Sequence, residues 1–193
     1  MDLGLKGKVV VITGAAGLKG SIGETILQHL AAEGAIPAVI DRNDRGFAYI
    51  EEIQKQGIDG LFCKTDVTNP VQIEEAIAKI VAKYGRIDAL INNVGVNDGA
   101  GLDASYEEFM DSLKLNMVSY FVTVKSALPY LKESKGPILN IGSKVGLTGQ
   151  GGTSGYAAAK GGVLGLTREW AVDLIKHSIR VNAIIIAESW TPA

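Results

Sequence analysis

The sequence predicts a three-layer α/β/α domain built on a doubly wound parallel sheet, and three observations lead there. Six short apolar runs, most of them rich in β-branched residues, alternate with five longer stretches of helical hydrophobic period. Successive runs are far enough apart for a crossover helix, which parallel pairing requires. A glycine-rich stretch follows the first run directly, at the strand ends where such sheets take up ligands. The 193 residues suffice for one well-buried core and are short for two, so 1–193 is read as a single domain.

The first strand, 9–12, is wholly β-branched and stops at Thr13 and Gly14. A helix over 21–33 puts Ile22, Ile26, Leu27 and Leu30 on one face and ends at Gly34. Strand 36–40 leads to Asp41, and helix 47–56 closes at Gly57. Strand 60–64, helix 71–84 and strand 87–91 follow, the last running into Asn92 and Asn93. A long helical stretch over 106–131 contains Pro129, read as a kink or the start of a last turn. Strand 137–141, helix 154–176 and strand 179–186 complete the alternation, with no internal repeat or linker.

Composition excludes several classes. Apolar residues make up 47% and charged residues 21%, so a packed core is expected and disorder is not. A net charge of -2 offers no basic field for nucleic acid. Cys63 is the only cysteine, so it forms no internal disulfide, and nothing near it gives metal-ligand spacing; a reducing compartment is expected and a metal site is not. Residues 1–8 lack the basic-then-apolar pattern of a signal peptide, and the apolar runs at 8–13 and 181–187 are too short to span a bilayer. The expectation is a cytoplasmic protein with a small-molecule substrate and no membrane partner.

Residues 13–23 (TGAAGLKGSIG) join the first strand to the first helix, where small residues let the backbone approach a pyrophosphate and the helix N-terminus favours its charge. Gly14, Gly17, Gly20, Ser21 and Ile22 are candidate contacts; a flexible turn is the plain alternative. Asp41 can accept from both adenosine ribose hydroxyls and would repel a 2′-phosphate, which favours NAD, while Arg42 and Lys19 keep NADP open. A helix N-cap or turn residue is the plain alternative for Asp41. Asp66, with Val67 beside it, is placed to meet an adenine amino group or to cap the helix beginning near Pro70. Asn93 and Gly95 lie where a nucleotide would cross the sheet edge, and asparagines there can line the site or tie strand ends together.

Tyr156 and Lys160 stand four residues apart on one helical face, able to point into one volume. A nearby cation stabilises a phenolate and brings tyrosine toward a working range for proton transfer. Taken alone the pair reads as a solvated helix face. Ser143 at the end of the fifth strand, Asn116 in the long helix, the loop 13–23, the turn Asn92-Asn93-Val94-Gly95 and YxxxK occur together in this order. In that combination the chain resembles the short-chain dehydrogenase/reductase family, with its Rossmann fold, over almost its whole length.

The resemblance implies that Tyr156 exchanges a proton with the substrate oxygen and that Ser143 orients that oxygen. It implies that Lys160 lowers the tyrosine pKa and binds the nicotinamide ribose, that Asn116 holds a water in a proton relay, and that Thr191 joins the nucleotide contacts. It further implies a homo-tetramer or homo-dimer through the stretches 106–131 and 154–176. The glycine loop is longer than the family's usual TGxxxGxG, with Ser21, Ile22 and Gly23 in the place of the closing GxG; Val94 replaces an alanine. Family members continue about a quarter of a chain further, so this sequence is expected to be part of a longer polypeptide rather than a truncated form. Stretches at 95–98, 101–104, 147–151, 166–170 and 187–192 are similar to L-fucose dehydrogenases, which oxidise an aldose at its anomeric carbon to a lactone. Asn97, Gln150 and Glu188 are then candidate sugar contacts, or else loop caps. A ketoreductase acting on an apolar, steroid or acyl-carrier ketone, and a non-catalytic nucleotide-binding or oligomerisation module, are the other readings.

Overall fold

The computed structural model describes residues 3–192; Met1, Asp2 and Ala193, which entered the reading of the two ends, lie outside. Six strands pair in parallel in the order β3-β2-β1-β4-β5-β6. They are β1 (Val9–Thr13), β2 (Ile36–Asp41), β3 (Leu61–Lys64), β4 (Ala89–Asn92), β5 (Ile138–Ser143) and β6 (Val181–Ile186). Between them run α1 (Ile22–Ala32), α2 (Arg45–Lys55), α3 (Pro70–Tyr84), α4 (Tyr106–Leu113), α5 (Ser119–Ser134), α6 (Val145–Thr148) and α7 (Ser154–Asp173).

The alternation of β1 explains the layers. Val10 and Ile12 face one cluster with Leu27 and Leu30 of α1 and Ile50 and Ile53 of α2. Val9 and Val11 face the other, with Ile73 and Ile80 of α3, Val124 and Leu131 of α5 and Val163 of α7. Each such fully buried aliphatic contributes about 2 kcal/mol relative to exposure. Helix starts follow side-chain chemistry: the Ser21 hydroxyl accepts from the Glu24 amide, Asn69 caps α3 with Pro70 next, and Ser105 and Glu108 form a reciprocal capping box on α4.

The long helix departs from the expected 106–131. A π turn, Lys114–Val118, separates α4 from α5, and α5 continues past Pro129 to Ser134. Hydrophobic period cannot reveal such a turn, because the helix axis carries on while one extra residue is accommodated. The last helix stops at Asp173 rather than 176, with a 3-10 turn at Ile175–His177. The four-residue α6 is too short to leave a periodic signal. On β6, Ile184 and Ile185 remain partly exposed. Among the described residues no helix is long and apolar enough to cross a membrane.

Candidate active site

A cleft of about 590 Å³ opens at the carboxyl ends of the strands, where β1 has β2 on one side and β4 on the other. One half is made of backbone. Gly14 has a φ of 72°, and a Cβ there would meet the Val94 Cα at 2.7 Å. A Cβ on Gly23 would lie 2.1 Å from the Gly14 carbonyl oxygen, so the start of α1 presses directly on the loop. Asn93 Nδ2 donates to the carbonyls of Thr13 (3.1 Å) and Gly14 (2.8 Å), and Thr13 Oγ1 accepts from the amides of Asn93 and Val94.

The lengthened part of the loop is braced from β2 and α2. Asp41 accepts the amides of Ala16 and Asn43, each at 2.9 Å, one on each carboxylate oxygen. Tyr49 donates its hydroxyl to the Gly17 carbonyl at 2.9 Å, and Arg45 Nε donates to the Gly17 and Ala16 carbonyls at 3.1 and 3.2 Å. Of the predicted nucleotide residues, Gly14, Gly17, Ser21, Ile22, Asp41, Arg42, Asp66, Val67, Asn93, Gly95 and Thr191 line the cleft. Gly20 does not line it; its φ is 84°, and a Cβ there would lie 3.7 Å from the Pro192 Cδ. Hydrogen bonds from the Thr68 amide and hydroxyl hold Asp66 below the usual carboxylate range, with Arg42 adding to the effect, while the α3 cap is Asn69. Asn92 and Asn93 divide the two roles foreseen for them: Asn92 Nδ2 ties β4 to Asn140 Oδ1 of β5 at 2.9 Å, and Asn93 lines the cleft.

The other half is made of side chains. Ser143 closes β5, and Tyr156 and Lys160 reach the same cleft from α7. Lys160 is 2% exposed; its Nζ donates to the Ile141 carbonyl at 2.8 Å and to the Tyr120 hydroxyl at 3.1 Å. It sits 5.7 Å from the centre of the Tyr156 ring. Burial pushes Lys160 down to about 8. Burial raises the Tyr156 phenol above its ordinary value and hydrogen bonding with Ser143 opposes the rise, while the Lys160 ammonium spends two of its three hydrogens on Ile141 and Tyr120.

Asn116 sits in the π turn, buried and outside the cleft lining. Its Oδ1 accepts the Val96 amide at 2.8 Å and its Nδ2 donates to the carbonyls of Val96 (3.0 Å) and Ser112 (3.1 Å), so it fixes the segment after β4. Asn97 and Gln150 are exposed and do not line the cleft, and Glu188 is ion-paired with Lys144. Sequence reasoning missed Arg45, Tyr49 and Tyr120. The first two stand one turn apart at the start of α2, and Tyr120 stands one turn after Asn116; no motif marks any of them.

Residues 8–192 match the family model described as short chain dehydrogenase. A 3-oxoacyl-[acyl-carrier-protein] reductase of Thermotoga maritima is 38% identical over 187 residues, covering 93% of this chain and 73% of that protein. An L-fucose dehydrogenase of Mus musculus is 34% identical over 189 residues, covering 96% of this chain and 67% of that one. Among solved structures, Cj0485 dehydrogenase superposes with a TM-score of 0.93 at 42% identity, covering 100% of this chain and 73% of that one. The NADH-dependent reductase A1-R′ complexed with NAD superposes with a TM-score of 0.90 at 28% identity, covering 98% and 82%.

Proposed function

The chain belongs to the short-chain dehydrogenase family, and from that premise we propose that it oxidises an aldose such as L-fucose at the anomeric carbon to the lactone. It is an NAD-dependent oxidoreductase of the CH–OH/C=O type. The reading rests on one observation: Ser143, Tyr156 and Lys160 share a cleft with the glycine loop and Asp41.

The residues present fit the dinucleotide. The Gly14–Gly23 contact leaves backbone and the α1 N-terminus for a pyrophosphate, and Asp41 retains lone pairs for ribose hydroxyls beside its two amides. Arg42 flanks Asp41 in the cleft, so weaker use of NADP is expected alongside NAD. When bound, the nicotinamide supplies the acceptor for the hydride. Ser143 hydrogen-bonds the substrate hydroxyl and sets its direction, while Tyr156 takes the proton that leaves with the hydride and returns it when a carbonyl is reduced. Lys160 has one N–H left for the nicotinamide ribose, and its charge favours the Tyr156 phenolate. Asn116 steadies the Val96 segment and any water beside it.

Asn97, Gln150 and Glu188, all exposed, are proposed as sugar contacts. We further propose a cytoplasmic homo-tetramer or homo-dimer joined through α4, α5 and α7, where Tyr106, Phe121 and Val172 are exposed. Light scattering of the purified protein tests the assembly, and a monomer would refute it.

The resemblance to the Thermotoga maritima reductase supports a second reading, reduction of an acyl-carrier ketone. Initial rates of NAD reduction with L-fucose, D-arabinose and a steroid alcohol, beside NADH oxidation with a 3-oxoacyl thioester, separate the two. Turnover of L-fucose and D-arabinose is expected; turnover confined to the thioester overturns the sugar reading.

A further inference from the structure

We propose that Tyr120 is a positioning residue for proton transfer, anchoring the Lys160 ammonium to the ends of β4 and β5. The proposal rests on the dehydrogenase reading above. Tyr120 lies in α5, 1% exposed, and a hydroxyl at that depth is costly unless fully partnered. It is partnered three ways: it lies 2.9 Å from the Val94 carbonyl, 3.2 Å from the Ile141 carbonyl and 3.1 Å from Lys160 Nζ. With a single proton to donate, the phenol gives it to a strand-end carbonyl and accepts from the ammonium.

Among the described residues Lys160 makes no ion pair, so its charge is met by two neutral acceptors, the Ile141 carbonyl and the Tyr120 oxygen. The titratable groups facing it are Tyr120 from α5 and Tyr156 from its own helix. From β5 and the π turn come only uncharged groups, the Ile141 carbonyl, which accepts from Lys160, and Asn116 Oδ1, which like Lys160 Nζ lies within about 3 Å of where a Cβ on Gly95 would sit. A phenylalanine at 120 would keep the ring packing in the core beneath the sheet. It would leave the ammonium one acceptor short, making the charged form costlier and the neighbouring Tyr156 phenolate less supported.

Tyr120→Phe tests this. In the oxidation direction the acid limb of the kcat/KM profile is expected to move toward higher pH. Turnover at neutral pH should fall about tenfold, as for one hydrogen bond to a charged group, with nucleotide affinity nearly unchanged. An unshifted profile with wild-type turnover overturns the proposal. A titration of Lys160 Nζ by heteronuclear NMR needs no substrate and keeps this question separate from the dehydrogenase reading. Its midpoint should fall in Tyr120→Phe, and an unmoved midpoint again overturns the proposal even if no sugar is turned over. Should the phenylalanine variant unfold, Tyr120→His, which restores a ring nitrogen as acceptor, should show the same displacement reduced in size; no displacement there refutes the anchor.

Discussion

The two halves of the cleft are built from different materials. On the β1–β3 side the surface is peptide backbone, shaped by Gly14 and Gly23 and braced by Asp41, Arg45, Tyr49 and Asn93. On the β4–β6 side it consists of the side chains of Ser143, Tyr156 and Lys160, the last of them seated on Tyr120 and Ile141. The first half should therefore suffer from atoms added and the second from atoms removed.

Tyr156→Phe gives the widest separation: turnover should fall about 10³-fold while nucleotide affinity is kept, measured by steady-state rates beside nucleotide titration. Retained turnover would break the comparison outright. Gly23→Ala should act in the opposite sense. It forces a methyl onto the Gly14 carbonyl at a cost of about 3 kcal/mol, visible as reduced denaturant midpoint and nucleotide binding together.

Lys160→Met sharpens the second half through pH. The lysine pKa falls on folding from 10.5 to about 8, so between those values the unfolded chain binds more protons and wild-type stability rises with pH. The methionine variant should be more stable than wild type at pH 7, by about 3 kcal/mol, and the gap should close as pH rises from about 8 through 10.5. Denaturant unfolding across that range checks the sign. The smallest effect expected is that of Tyr49→Phe, which frees the Gly17 carbonyl and should cost about 1 kcal/mol, read as a several-fold loss of nucleotide affinity with turnover at saturation preserved.

What was legible in the sequence follows the same division. The strands were readable because buried parallel strands are continuous apolar runs, as 9–12 is, and Asp41, Asn93, Ser143, Tyr156 and Lys160 sit at fixed offsets from strand or helix ends. The π turn around Asn116 was not, since it leaves no mark on the hydrophobic period and the grip of Asn116 on Val96 spans 20 residues. Neither were the braces at Arg45 and Tyr49 or the phenol at Tyr120, whose partners are distant in sequence and whose positions look like ordinary helix faces. The i, i+4 spacing was enough to bring Lys160 near Tyr156, but not to show that β5 and α5 would take two of its hydrogens.

The earliest strand in the chain lies in the middle of the sheet, and Val9 donates its amide to Asp88, 79 residues later. During synthesis β1 and β2 can meet soon, but the second flank of β1 stays bare until almost half of these 193 residues have been made. Such delayed closure of distant pairs predicts slow folding and a nascent form whose central strand is open to mispairing, which would make early chaperone contact with the β1–α1 segment rewarding to look for.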